Sequence, residues 1–231
     1  MFVGRRKNSR DAVKGGGKAI MREGIHMKTI IQWFVGVLTY LILACAYAQT
    51  VDVKALAADM KHGGYVIVFR HGATNRDQAD TDPLNFDNVA KQRLLSESGK
   101  EVARQVGDSF KKLDIGLSKV YTSQFNRAVE TGRLISGREV TSTLDVTEGG
   151  LVVTPNENDR RTEAMRKMVA TMPEAGKNTL IVTHKPNIMD AFGKDWFDVK
   201  EGEASVFRPD GSGKAALVAR VQAADWVKAA K

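Results

Sequence analysis

Between residues 51 and 231, short apolar runs alternate with longer stretches whose apolar residues recur every three or four positions. VKALAADMKHG (53–63) has the helical spacing and stops at Gly63 and Gly64, a suitable helix end. The run 65–69 is short, β-branched and apolar on both faces, the pattern of a strand buried within a sheet. SESGKEVARQVGDSFKKL (96–113) is amphipathic, with Ser96 as N-cap and Val102, Val106 and Phe110 forming one stripe. KVYTS (119–123) predicts a second strand, FNRAVETGRLI (125–135) a helix directly after it, and 159–169 another helix. NTLIVTH (178–184) predicts a further buried strand, while Val206, Phe207 and AALVARV (215–221) predict edge strands that close the domain. The segment 72–92 is polar, rich in Asp and Asn, contains Pro83 and predicts a long surface loop. Strand followed by helix, three times over, predicts an α/β fold: a mixed, mostly parallel sheet between two helical layers. No repeat or low-complexity linker interrupts 49–231, so it reads as one domain.

The first fifty residues follow another pattern. No charge occurs from 29 to 51, and IIQWFVGVLTYLILA is strongly apolar, preceded by Lys28 and followed by AYAQT. A basic start, an apolar core and an A-x-A site ending at Ala48 predict a secretory signal peptide over 27–48. Met27 opens that segment, so 1–26 reads as an upstream extension from a misassigned start codon. The competing reading is an uncleaved membrane anchor, since about twenty apolar residues span a bilayer. Cys45 is the only cysteine, and the partial lipobox before it makes a lipoprotein the weaker reading. Cleavage after Ala48 would leave a chain with no disulfide and no thiolate ligand, suited to an oxidising periplasmic or extracellular location.

The formal net charge of +8 first suggests a polyanionic partner. Residues 1–48, however, hold eight of the 35 Lys/Arg and only two of the 27 Asp/Glu, which leaves 27 basic against 25 acidic in the rest. A near-balanced domain gives no electrostatic support to nucleic-acid binding. Contact with a membrane is expected only through the N-terminal segment, if uncleaved.

Candidate chemistry lies where the predicted strands end. In an open α/β sheet the carboxyl ends of the strands line the ligand crevice. Arg70 and His71 follow the first strand, Ser123 ends the second with Arg127 one turn into its helix, and His184 ends the third. His62, at a helix end, reads as structural. Taken singly, a strand-end histidine is a packing residue and a helical arginine a solvated charge; their joint placement is what signals a site. Two guanidinium forks match the oxygens of a phosphoryl group. A neutral imidazole is a competent nucleophile toward phosphorus, and nearby positive charge disfavours its protonation. Gly72 allows close backbone approach.

RHGAT (70–74), QRLLSESGKEVARQVG (92–107), VYTSQFNRAVETGRLI (120–135) and LIVTHKPNI (180–188) resemble, in order, the motifs of the histidine phosphatase, or phosphoglycerate-mutase-like, superfamily. The tail GEASVFRPDGSGKAALVARV is similar to that of small exported bacterial members. The resemblance implies a phosphoglycerate-mutase-like α/β/α fold and His71 as a nucleophile that becomes phosphohistidine. It further implies a phosphate pocket completed by Arg70, Arg127 and His184, with Thr74 as a further substrate contact. It implies a small phosphorylated substrate, with no metal or other cofactor. Two departures stand out: Asp77 occupies a position where many members carry asparagine, with Asn75 out of register, and the general acid is ambiguous. Glu148, in LDVTEGGL, is the leading candidate, with Asp80, Asp82 and Glu203 as rivals. The expected activity is that of an exported, metal-independent phosphomonoester hydrolase, acid-phosphatase-like. A non-catalytic phosphate-binding or envelope interaction protein, or a phosphomutase, are the alternatives.

Overall fold

The structure, a computed structural model, describes residues 51–150 and 152–231. The expected signal peptide or anchor at 27–48, the extension at 1–26 and Cys45 lie outside the described residues. Among the described residues, six α-helices and six strands follow in the order α1 (Val53–Met60), β1 (Val66–Arg70), α2 (Glu97–Lys112), β2 (Leu117–Thr122), α3 (Asn126–Ser136) and β3 (Thr141–Ser142), then α4 (Pro155–Val169), β4 (Asn178–Thr183), α5 (Lys185–Phe192), β5 (Ala204–Pro209), β6 (Ala215–Val221) and α6 (Ala223–Ala229). The six strands form one sheet in the order β3-β2-β4-β1-β5-β6. β1, β2, β3 and β4 run parallel to one another, whereas β5 pairs antiparallel with β1 and with β6.

Alternation along the central strands feeds two cores. Ile67 and Phe69 of β1, with Leu180 and Val182 of β4, face Leu56, Ala103, Val106, Phe110 and Trp226 from α1, α2 and α6. Val66, Val68 and Ile181 point the other way, onto Met165, Val169, Ile188 and Ala191 of α4 and α5. Such a strand, apolar on both faces, can sit only between two helical layers. The architecture is therefore the expected three-layer α/β/α, with a mixed, mostly parallel sheet.

Several elements differ in detail from the sequence reading. β5 is not an edge strand: β1 and β6 take both of its backbone rows, and its residues are almost all buried. One edge is β6 and the other is β3, whose two residues carry no readable alternation. α4 begins at Pro155 rather than 159, capped by the Thr154 hydroxyl on the amide of Glu157 at 3.3 Å. Its first turn, PNEN, holds no apolar residue besides the proline, so it carries no apolar stripe. α5 opens with Pro186 in its first turn, where the missing N–H costs nothing. α1 ends at Met60 with Asp52 as N-cap, so His62 lies beyond it, exposed.

Two close approaches hold the loop after β1. The Ser96 amide and hydroxyl both donate to the carbonyl of Ala73, at 2.9 and 3.1 Å, and the same hydroxyl accepts the Gly99 amide at 3.1 Å. A Cβ on Gly99 would collide with the backbone of Ala73, and one on Gly72 would lie 2.8 Å from the Gly99 carbonyl. The first turn of α2 thus seats directly against residues 72–73.

Candidate active site

Because β1, β2 and β4 are parallel, their carboxyl ends coincide at one edge of the sheet. Residues 70 and 71, 123 and 184 all emerge there, and the structure brings the two imidazoles together. The rings of His71 and His184 stand 5.0 Å apart between centroids, edge to face, with almost no solvent exposure.

His71 has a defined tautomer. Its Nδ1 lies 2.8 Å from the Gly72 carbonyl, which can only accept, so Nδ1 carries the proton and Nε2 keeps its lone pair. The His71 amide donates to the Thr183 carbonyl at 3.0 Å, fixing the backbone from the β4 side. Burial holds the His71 pKa well below the ordinary histidine value of 6.5, helped by the neighbouring His184 ring and the charges of Arg127 and Arg70, and opposed by the bond to Gly72. The pKa of His184 is likewise held well down, first by burial, then by Arg127, Arg93 and Arg70.

Around His184, Nε2 lies 2.7 Å from the Ser123 hydroxyl, which itself accepts the Phe125 amide at 3.2 Å. Nε2 and the Ser123 hydroxyl thus share one hydrogen bond, in which either group can be the donor. Nδ1 is 3.2 Å from Glu148 Oε1, an ion-pair distance, but the alignment is not that of a hydrogen bond, and Nδ1 has no true partner. Phe125 packs edge-on to His184 at 5.5 Å, and its face carries the Arg127 guanidinium 4.2 Å from the ring centre.

Arg127 is fully buried, which its charge permits only because two carboxylates meet it. Nη1 donates to Asp80 at 3.0 Å and more weakly to the Arg93 carbonyl at 3.4 Å, while Nη2 donates to Glu148. Arg70 donates from Nη1 to the Val199 carbonyl at 2.6 Å, and Glu201 stands 3.5 Å from Nη2. Burial pulls the Arg70 pKa down, partly offset by Glu201, yet an arginine stays charged throughout the working range. Six buried side-chain polar atoms lack a partner among the described residues. Four of them lie here: Nε of Arg70, Arg93 and Arg127, and Nδ1 of His184. A buried donor left unpaired costs about 1–3 kcal/mol, so donors gathered at one place mark a surface shaped for an anion.

Residues 66–151 match the histidine phosphatase superfamily (branch 1). No curated protein matches the chain in sequence. Among solved structures, the chain is similar to the protein histidine phosphatase SixA complexed with tungstate, at 17% identity and a TM-score of 0.48, covering 70% of this chain and 98% of that one. It is similar also to YhfR of Bacillus stearothermophilus, at 16% identity and a TM-score of 0.49, with 67% and 95% covered. A third likeness is to a phosphoserine phosphatase of Entamoeba histolytica in complex with phosphoserine, at 15% identity and a TM-score of 0.47, with 70% and 98% covered. Identities this low say nothing about substrate.

The remaining candidates separate by position. Glu148 alone touches both Arg127 and His184. Asp80 meets Arg127 but also accepts the Arg93 amide at 2.9 Å, so it braces the loop. Asp82 accepts from Asn88 at 3.0 Å within that loop. Glu203 is buried and committed elsewhere: Arg220 and Gln222 each donate to it at 2.6 Å and the Lys200 amide at 3.0 Å. Neither Asp82 nor Glu203 makes a hydrogen bond or ion pair with Arg127 or His184 among the described residues. Thr74 is buried in an isolated antiparallel bridge to Leu95, three residues past His71. Asp77 and Asn75 lie on the loop, where Asn75 reaches Gln78 at 3.4 Å. Among the described residues, no group of three or more His, Cys, Asp or Glu is placed to hold a metal ion, and no helix is long and apolar enough to cross a membrane.

Sequence reasoning did not assign Arg93, Thr131 or Glu201. Thr131 accepts the Gly72 amide at 3.2 Å and donates to the Arg127 carbonyl at 2.7 Å, tying the loop after β1 to α3. It sits four residues after Arg127, the one spacing that could have revealed it.

Proposed function

We propose that this chain is a phosphomonoester hydrolase acting through a phosphohistidine on His71. The observation that carries the reading is the His71–His184 pair: a neutral nucleophile with a free Nε2, 5.0 Å from a second neutral ring and ringed by guanidinium donors without partners. The family match over 66–151 supports it. In the first step Nε2 attacks phosphorus, the bond to the leaving oxygen breaks, and the Glu148 carboxylate relays to that oxygen the proton carried by a monoanionic monoester. In the second step water attacks phosphorus, Glu148 relays a proton from the water to a phosphoryl oxygen, and the P–N bond breaks to release inorganic phosphate. The guanidinium groups stabilise the charge spread over the equatorial oxygens, the largest catalytic term in such transfers. The substrate is a small phosphorylated molecule, and the reaction needs no metal.

The purified protein should hydrolyse p-nitrophenyl phosphate equally well with and without EDTA, and His71→Ala should abolish turnover. Equal rates for the two proteins would discard the mechanism; binding of phosphate without turnover in either would favour a binding module. We further infer export, on the strength of the charge-free run 29–51 and the A-x-A site ending at Ala48. Mass spectrometry of the protein recovered from its host should give Gln49 as the first residue, and an intact residue 1 or 27 would overturn cleavage.

A further inference from the structure

Three guanidinium groups surround the imidazole pair, and their commitments differ. Arg127 gives both terminal nitrogens to Asp80 and Glu148. Arg70 gives one to the Val199 carbonyl and has Glu201 beside the other. Arg93 makes no side-chain hydrogen bond or ion pair with any described residue, although its Nε is buried. Its ties to the fold run through the backbone alone: its amide donates to Asp80 and its carbonyl accepts from Arg127. Those ties set the Arg93 backbone beside the Arg127 head group, and its guanidinium is close enough for its charge to bear on both His184 and Arg70.

Counting charge sharpens the point. Carboxylates already stand against Arg127 and Arg70, so neither offers an unopposed positive charge to an incoming ligand. A phosphomonoester brings between one and a half and two negative charges at neutral pH. The uncompensated cation of the three is Arg93. A merely solvated arginine would show its Nε to water, and this one does not.

We propose that Arg93 is a substrate-binding residue whose guanidinium takes up phosphoryl oxygens of the bound monoester alongside Nε of Arg70 and Arg127. The ligand's chemistry rests on the function proposed above; the arginine's readiness for an anion rests on its lack of partners. A planar fork with every N–H unspent can bind two oxygens at once, and lysine cannot reproduce that geometry.

Titration calorimetry with inorganic phosphate tests the assignment without requiring catalysis. Arg93→Met should weaken phosphate binding at least tenfold and raise KM for p-nitrophenyl phosphate in parallel. Arg93→Lys should recover only part of either. Arg104→Met, which removes an exposed arginine paired with Glu101 on α2, should change nothing. Melting temperatures should stay within a few degrees, since the backbone bonds of residue 93 remain; should Arg93→Met unfold, the Arg93→Lys protein decides. Phosphate affinity within twofold of the unsubstituted protein in these variants overturns the proposal, as does absence of phosphate binding by the unsubstituted protein. Arginine-dependent binding with no turnover of any phosphomonoester would sustain Arg93 as an anion ligand and discard the phosphatase reading instead.

Discussion

His71 gives its Nδ1 proton to its own neighbour's carbonyl, so the orientation of the ring and the freedom of Nε2 are decided by one local bond. Glu148 is more exposed to substitution, because one of its oxygens serves two residues. It meets Arg127 and approaches His184 through Oε1 alone, which leaves Oε2 to exchange a proton. Glu148→Gln should therefore lower kcat by about 10²- to 10⁴-fold, the usual worth of a general acid–base, with a smaller effect on KM. The loss should shrink for substrates with a good leaving group such as p-nitrophenol, which needs little protonation, and an equal loss for poor and good leaving groups would remove Glu148 from the role. At this scale much of the site is legible in the sequence, because Arg70, His71, Arg127 and His184 each sit at or one turn beyond a recognisable strand. Arg93 is not, because it lies in a polar loop with no periodicity to place it. The ion pairs of Arg127 are equally hidden: Asp80 and Glu148 are 47 and 21 residues away along the chain.

The elements work by clamping the loop after β1 from three sides. β4 holds the His71 amide, Thr131 of α3 holds the Gly72 amide, and Ser96, the N-cap of α2, holds the Ala73 carbonyl. The α2 contact depends on the absence of a side chain at residue 99. Gly99→Ala should cost about 1–3 kcal/mol of stability, the scale of an overpacked contact between backbones, and should lower kcat by displacing residues 71–73. Denaturant melts beside kinetics check this, and full activity at full stability would show the approach to be slack. The strand–helix alternation is legible because apolar period and length agree over β1, α2, β2, α3 and β4. What fails is pairing. β5 looks like any short apolar run, and only its two neighbours make it interior; β3, at two residues, offers no pattern at all.

Across the whole molecule, both imidazoles are held neutral by burial and by surrounding arginines, and that couples folding to pH. Their folded pKa values lie well below the 6.5 of a free side chain, so the unfolded chain binds more protons than the folded one once pH drops beneath that value. Stability should hold steady above about pH 6.5 and fall as the solution is acidified from there toward the depressed folded values. A melting temperature that drops between pH 7 and pH 5, with the drop lost in a variant lacking both imidazoles, would match this; a flat profile would contradict it. A separate decline belongs below about pH 4.5, where Glu157 takes up a proton in the unfolded chain while its bonds to Arg160 and Arg161, which hold it down to about 2, keep it charged in the folded one.

The antiparallel strand β5 and the turn before it reach back to the start of the domain. The Gly202 amide donates to the carbonyls of Arg70 and His71 at 3.1 and 3.2 Å, and the Arg70 amide donates to the Glu203 carbonyl at 3.0 Å. Glu203 is in turn anchored by Arg220 and Gln222, within the last dozen residues of the chain. Synthesis runs in the opposite sense: Arg70 and His71 are made before the residues that brace them. A polypeptide cut off before β6 would lack Arg220 and Gln222, and would leave the Glu203 carboxyl, beside the backbone of Arg70, without two of its donors.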